Sequence, residues 1–322
     1  MPLRKLLFVD ANIWLDFYRG RNETGLGLLK HAEGISDDII VTYQLESEFK
    51  RNRHAAILEG MKELKAPSQI PRPGIFSDAQ ATKVISKNFA EIEKRVKKLK
   101  TKFNRALAQP TLHDPVYQAC QRIFHREGSP IVLTHGNKIK NLIRRRAFRR
   151  FLHGYPPRKR TDISIGDAFN WEWMIHCARE NTAELVIVSR DSDYGIAFEG
   201  DIHVNDDLRQ EFAERVSKKR KILLYQKLSD ALKHFAIDIS PLEEEAESEI
   251  VQSVSEQLPS SQPANHLAEL FRQDAALPVS TLPRLQALRE LYADYLKRGR
   301  SLGESQKADS ETKAEDVVEE TE

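Results

Sequence analysis

Near its start the chain reads Leu6-Leu7-Phe8-Val9-Asp10-Ala11-Asn12, four apolar residues followed by an acidic one. This short apolar run, bounded by charged residues, predicts a buried β-strand that ends at Asp10. A similar run, Leu185-Val186-Ile187-Val188, ends shortly before Asp191 and Asp193. In open α/β sheets, sites lie at the carboxyl ends of the strands. The two runs therefore predict that acidic side chains gather at one edge of a sheet.

The rest of residues 1–237 alternates between short apolar runs and segments with helical periodicity. Strands that alternate with helices predict a parallel sheet with helices on both faces. We therefore expect an α/β fold, a three-layer α/β/α sandwich with a central parallel sheet and a helical, basic insertion at about 68–150. The further runs that predict strands are 39–41, 202–204 and 222–225.

Charge divides the chain into two parts. Residues 1–237 carry 42 basic and 29 acidic side chains, whereas residues 238–322 carry 8 basic and 19 acidic ones. A basic body indicates a polyanionic partner such as nucleic acid, although solubilising surface charge is the alternative. The polar, acidic remainder predicts a mostly disordered tail with one short helix at 283–298. This tail is also a candidate surface for a protein partner.

Composition excludes several classes of protein. Only two cysteines occur, Cys120 and Cys177, so no disulfide framework is expected. No apolar run reaches the roughly 20 residues that a membrane helix needs, and no signal-peptide pattern precedes the first strand. We expect a cytoplasmic protein without a membrane partner, and a homo-oligomer stays open.

Two further acidic residues belong to the same set. Glu48 lies in a predicted helix, and Asp167 opens another one. Each carboxylate alone is weak evidence, because Asp often caps the N-terminus of a helix. Brought together, however, carboxylates repel each other unless cations bind between them. Their oxygen atoms are the ligands that hard cations prefer, so the set predicts metal-assisted chemistry.

The order and spacing of these motifs resemble those of the PIN-domain nucleases, and in particular the larger PIN-like proteins with a helical insertion. Each motif is short, but the set covers roughly residues 5–235. The matching features are Asp10-Ala11-Asn12 after the first strand, Thr42 followed by Glu48-Phe49, Pro156-Pro157, Gly166-Asp167-Ala168-Phe169-Asn170-Trp171-Glu172, and Ser189-Arg190-Asp191-Ser192-Asp193-Tyr194.

The resemblance implies a nuclease that depends on Mg²⁺ or Mn²⁺ and hydrolyses phosphodiester bonds, most often in RNA or single-stranded nucleic acid. It implies that bound metal activates a water molecule, so no nucleophilic side chain is needed. The implied residues are Asp10, Glu48, Asp167 and Asp191 as catalytic metal ligands, Asp193 as a secondary metal ligand, and Asn12 as a supporting polar residue.

Three neighbours of the acidic set have competing interpretations. Glu46 is a rival for Glu48, but the two lie about 200° apart around a helix, so both cannot face one site. The spacing from Thr42 favours Glu48. Trp171 either walls the site or packs in the core. Glu172 either supports the metal site or braces the basic segment at 144–160.

Two basic segments are candidates for binding nucleic acid. Each phosphate that they neutralise would release counterions and make binding depend steeply on salt. The alternative is that the apolar side of each helix packs inward while its basic side is merely solvated. The candidate residues are Lys97, Lys98, Lys102, Arg144, Arg145, Arg146, Arg149, Arg150, Arg158, Lys159 and Arg160.

Other functions stay open at this point. A non-catalytic PIN fold could bind nucleic acid or protein as a scaffold, and a toxin or defence nuclease could be regulated by a partner through the acidic tail. A haloacid-dehalogenase-like phosphatase is disfavoured, because it would need a second Asp where this chain has Asn12.

Overall fold

The computed structural model describes residues 4–20, 24–62, 64, 80–157 and 164–257. Five of its strands form one parallel sheet in the order β3-β2-β1-β4-β7, and β5 and β6 form a separate antiparallel hairpin. The strands are β1 (Lys5–Val9), β2 (Ile39–Thr42), β3 (Val132–Leu133), β4 (Glu184–Val188), β5 (Gly195–Phe198), β6 (Asp201–Val204) and β7 (Ile222–Tyr225).

Helices flank this sheet, which confirms the expected α/β fold with a central parallel sheet. None of the helices in the described ranges combines the length and apolar composition that a bilayer crossing requires. The helices are α1 (Ala11–Asp16), α2 (Leu26–Gly34), α3 (Tyr43–Lys62), α4 (Gln80–Ala108), α5 (Pro110–His113), α6 (Pro115–Phe124), α7 (Lys140–His153), α8 (Gly166–Glu180), α9 (Asp206–Arg215), α10 (Leu228–His234) and α11 (Pro241–Gln257).

The centre of the sheet positions the acidic residues. Strand β1 lies between β2 and β4, and Leu6–Val9 are fully buried. Such continuous apolar strands are typical of parallel sheets that helices cover on both faces. The backbone N–H of Asp10 donates to the carbonyl of Val188 at 2.9 Å, one residue beyond β1. Asp10 therefore leaves the sheet beside the end of β4.

Two strands differ from the sequence-based expectation: β6 lies outside the parallel sheet, and β3 is an additional strand of it. The run at 202–204 lies in β6 of the hairpin rather than in the parallel sheet, and its residues alternate between exposed and half-buried. Strand β3 was not predicted, because two residues are too few to show a pattern. It pairs with β2 at the edge of the sheet.

The helical insertion is narrower than the predicted range of 68–150. Helix α6 and strand β3 fall within that range, yet both belong to the core. Cys120 and Ile123 of α6 are fully buried, and Leu133 of β3 is only 1% exposed. The apolar face of α6 covers the sheet, so these elements complete the α/β domain rather than extend from it.

The acidic tail begins later than predicted. Helix α11 packs on the domain through Ala246 and Ile250, which are buried. Its Glu247 carboxylate accepts hydrogen bonds from the backbone N–H groups of Leu228 (2.5 Å) and Ser229 (2.9 Å) at the start of α10. A side chain that satisfies such helix-terminal donors is a cap. The domain therefore extends to about Glu256, and the expected helix at 283–298 lies outside the described residues.

Candidate active site

Asp10 and Asp191 are joined through one serine. Asp10 is 6% exposed and lies at the N-terminal boundary of α1, but its side chain makes no capping hydrogen bond to that helix. Its Oδ2 atom instead accepts from Ser189 Oγ at 2.8 Å. Ser189 Oγ accepts in turn from the backbone N–H of Asp191 at 3.1 Å, and Asp191 Oδ1 accepts from the N–H of Asp193 at 3.2 Å. Ser189 thus fixes the loop after β4 against the end of β1.

Glu48 and Asp167 are brought together by a glycine. Glu48 Oε1 on α3 accepts from Gln44 Nε2 at 2.9 Å. A Cβ atom added to Gly166 would overlap this same Oε1 atom and would lie 3.1 Å from Gln44 Nε2. The Glu48 carboxylate therefore lies directly against the first residue of α8, and Asp167 is the next residue. A glycine permits this close approach, since a Cβ atom here would make the Glu48 side chain shift.

Thr42 sets the relation between the two helices that carry these acids. Its Oγ1 atom accepts from the backbone N–H of Leu45 at 2.9 Å, as an N-terminal cap of α3 does. The same hydroxyl donates to Asn170 Oδ1 on α8 at 2.6 Å. Both residues are buried, so this pair fixes the start of α3 against the N-terminal part of α8.

Tyr194 connects the two pairs of carboxylates. It is 1% exposed, and its hydroxyl has no hydrogen-bond partner among the described residues. Burial raises the pKa of this phenol well above its usual value, and the charges of Asp167, Asp10, Asp191 and Glu48 raise it further, in that order. All four predicted ligands therefore lie within electrostatic reach of one buried hydroxyl, which stays protonated.

The chemistry of this set fits a hard divalent cation. Its donors are carboxylate oxygens, which Mg²⁺ and Mn²⁺ prefer. Within the described residues, however, no three His, Cys, Asp or Glu side chains are close enough together to form a metal-ligand group. The four carboxylates are therefore not a converged set in this structure, and cation binding would require their side chains to rearrange.

Two further residues considered for the site, Asn12 and Glu46, have different surroundings. Asn12 is exposed in the first turn of α1, two residues after Asp10. Glu46 pairs with Lys50 at 2.5 Å and with His125 at 2.7 Å. The structure therefore brings Glu48, and not its rival Glu46, to the start of α8.

Glu172 and Trp171 belong to a buried cluster apart from the four carboxylates. Glu172 accepts from Arg150 Nε at 3.1 Å and from Arg215 at 2.7 and 3.0 Å. Glu211 also pairs with both arginines and accepts from Trp171 Nε1 at 2.9 Å. Burial raises the pKa of Glu172, but hydrogen bonds and charge from Arg215 and Arg150 outweigh it and leave the pKa below its usual value. We call these five residues the α7–α8–α9 cluster.

This cluster decides between the two interpretations of Trp171 and corrects one expectation for the basic surface. Trp171 is fully buried and packs in the core, the second of its two interpretations. Arg150 was expected on the nucleic-acid surface, but it is only 8% exposed because its guanidinium pairs with Glu172 and Glu211. Its place in α7 shows why: with Ile143 and Ala147, it lies on the buried side of that helix.

The other basic candidates are accessible where they are described. Arg146 is half-buried, and the rest of the described set is exposed. Arg158, Lys159 and Arg160 lie outside the described residues. The exposed residues are Lys97, Lys98 and Lys102 on α4 and Arg144, Arg145 and Arg149 on α7.

Four residues at the site were not predicted as such: Ser189, Arg190, Tyr194 and Gly166. Arg190 forms an ion pair with Asp16, and burial lowers its pKa while the charges of Glu247 and Asp10 oppose this shift. It places a positive charge beside the acidic set. All four lie within the motifs quoted above, so their proximity to acidic residues in the sequence was the available signal.

A parallel sheet with carboxylates at the ends of its two central strands defines an α/β domain whose site lies at that edge. A family model described as PIN domain matches residues 7–194, a range that contains all four carboxylates. The chain therefore belongs to the PIN-domain family, whose members have a nuclease-type fold, are generally nucleases and typically use divalent metals. This confirms the resemblance seen in the sequence. Comparison with curated proteins and with solved structures gave no match.

Proposed function

We propose that this protein is a nuclease that binds Mg²⁺ or Mn²⁺ through Asp10, Glu48, Asp167 and Asp191 and hydrolyses phosphodiester bonds. The observation that carries this proposal is the arrangement of two pairs: Ser189 bridges Asp10 and the Asp191 loop, and the Glu48 carboxylate lies against Gly166 beside Asp167. The four carboxylates come from four separate segments of the chain, and folding brings them to one edge of the sheet. Asp193, whose N–H binds Asp191, would act as the secondary ligand.

The chain's own residues would hold and orient this site. Ser189 fixes Asp10 relative to Asp191, and Gln44 orients Glu48. The chemistry supplied by a bound divalent cation is polarisation of a phosphate oxygen and activation of water. Burial and the nearby carboxylate charges keep the Tyr194 hydroxyl protonated, so it cannot serve as the base.

RNA or single-stranded nucleic acid is the proposed substrate class. A carboxylate-rich site repels phosphates, so binding needs the exposed arginines of α7 and lysines of α4 nearby. Helix α7 also exposes Phe148 (52%), and Tyr155 just after it is 59% exposed. Exposed aromatic rings among arginines can stack on unpaired bases, which a duplex does not offer.

The test is a cleavage assay on fluorescent single-stranded RNA and DNA with Mg²⁺, Mn²⁺ or a chelator. Asp10→Asn and Asp191→Asn should each lower the rate by at least about 100-fold, since each removes one charged ligand. Asp206→Asn is the matched control, because this α9 carboxylate is 88% exposed and forms an ion pair with Arg209 one turn along the same helix. Its rate should not change.

Two outcomes would contradict the proposal. Cleavage that persists in chelator and in both variants would exclude the acidic set as the catalytic site. Tight binding of RNA without cleavage under any cation would favour the non-catalytic scaffold instead.

A further inference from the structure

Helix α4 has an apolar face that nothing described in the structure covers. The helix is 29 residues long, about 43 Å at 1.5 Å per residue. Among the described residues, none of its side chains is buried and none packs against the hydrophobic core. Ile85, Ile92 and Leu99 are 43%, 40% and 42% exposed.

The spacing of this face is regular. Its large apolar residues follow one another at intervals of four and three, the pattern of a coiled-coil seam. A helix in water is only marginally stable alone and gains most of its stability by packing an amphipathic face. A regular seam over this length therefore indicates a helical partner. The α4 seam consists of Ile85, Phe89, Ile92, Val96, Leu99 and Phe103.

Charge decides which partner fits. Helix α4 carries nine Lys or Arg residues and two Glu residues. The residues that flank the seam include Arg95, Lys100 and Lys102 against a single Glu93. Nine basic and two acidic residues give α4 a net charge of +7, so two copies would repel each other in either orientation, and in a parallel pair Arg95 of one helix would face Lys100 of the other. Acidic residues at these flanking positions would instead be attractive.

We propose that the α4 seam is a docking surface for an acidic amphipathic helix of another protein. Such a helix would bury the apolar residues and neutralise Arg95, Lys100 and Lys102. Nucleic acid could neutralise the same charges, but its phosphates would leave the aliphatic seam in water. Lys94 and Lys98 lie on the opposite face of α4, so they stay accessible when the seam is occupied. The proposal does not depend on nuclease activity.

The probe for this surface is a synthetic 28-residue helix with Leu at the seam positions and Glu at the flanking positions. Its binding to the full chain is measured by fluorescence anisotropy at physiological salt. A second probe carries Lys in place of every Glu. We expect the acidic probe to bind at least tenfold more tightly than the basic one.

Two variants locate the binding. Ile92→Ser combined with Leu99→Ser should lower the affinity for the acidic probe at least tenfold. Lys94→Ser combined with Lys98→Ser should change this affinity less than threefold. All four side chains are exposed, so thermal unfolding should be unchanged in both variants. Equal binding of the two probes, or no effect of the seam variant, would overturn the proposal.

Two further results would assign the seam to a different occupant and so overturn the proposal. The first is a dimer in sedimentation equilibrium that the seam variant abolishes, which would make a second copy the partner. The second is binding of a single-stranded RNA 20-mer that the seam variant abolishes and the Lys94→Ser/Lys98→Ser variant leaves intact.

Discussion

Replacement of Glu172 by Gln removes one negative charge from the buried α7–α8–α9 cluster while it keeps the shape of the side chain. The Glu172 and Arg150 side chains are 4% and 8% exposed, and those of Glu211 and Arg215 are 20% and 28% exposed. Three hydrogen bonds from two guanidinium groups end on the Glu172 carboxylate. The substitution therefore tests a charge interaction with little change in packing.

The expected loss in unfolding free energy depends on how well the remaining residues compensate the charges of Arg150 and Arg215. Removal of one partner from a buried ion pair costs about 3–5 kcal/mol, because the other charge is left uncompensated. Glu211 still pairs with both Arg150 and Arg215, so neither guanidinium becomes fully uncompensated. We therefore expect a loss at the lower end, about 3 kcal/mol. At about 2–4 °C per kcal/mol for a domain of this size, Tm should fall by about 6–12 °C.

The measurement is thermal unfolding by circular dichroism or calorimetry in chelator at pH 7. Glu180→Gln is the matched control, because Glu180 lies on the same helix and pairs with Arg179 but is exposed. Its Tm should not change measurably. The same Tm in wild type and in Glu172→Gln would refute the reasoning. A tenfold change in the Mg²⁺ concentration for half-maximal activity, with unchanged Tm, would instead assign Glu172 to the metal site.

Three other predictions test the pH dependence and the geometry of the site. Burial raises the pKa of Glu172, but its arginine partners outweigh this and hold it below 4.5. Its stabilisation is therefore present above about pH 4.5 and lost as pH falls through the folded pKa, so wild type and Glu172→Gln should converge in unfolding free energy in acid. Gly166→Ala should displace Glu48 and weaken Mg²⁺ binding, measured by calorimetry, at least tenfold, whereas Gly34→Ala, which meets open space, should not. Tyr194→Phe should leave unfolding free energy unchanged or raise it by about 1 kcal/mol in urea titrations, because the hydroxyl has no described partner to lose; a loss above about 1 kcal/mol would contradict this.

The sequence predicted the centre of the fold because buried parallel strands read as uninterrupted apolar runs. Strands β1 and β4 are such runs; Asp10 directly follows β1, and Asp191 lies three residues beyond β4. Strand β3 is too short to show a pattern, and β6 belongs to a hairpin whose pairing depends on its neighbour. Helix α11 was assigned to the tail because its Glu-rich sequence looks solvated. Its buried Ala246 and Ile250, and the contact between Glu247 and the start of α10, show that it belongs to the domain.

The candidate site could likewise be predicted from the sequence only in part. Strand ends and helix starts could be read from local sequence, so the four carboxylates could be predicted together. The parts played by Ser189, Gly166 and Tyr194 could not, because they depend on which elements meet in three dimensions. Arg150 illustrates the same point for the basic surface. An arginine in a basic helix looks solvated until its partners, which come from α8 and α9, are known.

Helix α8 connects the two halves of the proposed function. Asp167 lies in its first turn at the acidic edge, and Glu172 lies five residues later, about 140° around the helix axis. One face of α8 therefore carries a proposed metal ligand, while another face anchors α7 through Arg150. Since α7 exposes Arg144, Arg145 and Arg149, a single rigid helix fixes where these charges lie relative to the carboxylates. The burial of Arg150 thus removes one cation from the surface but holds the others in place.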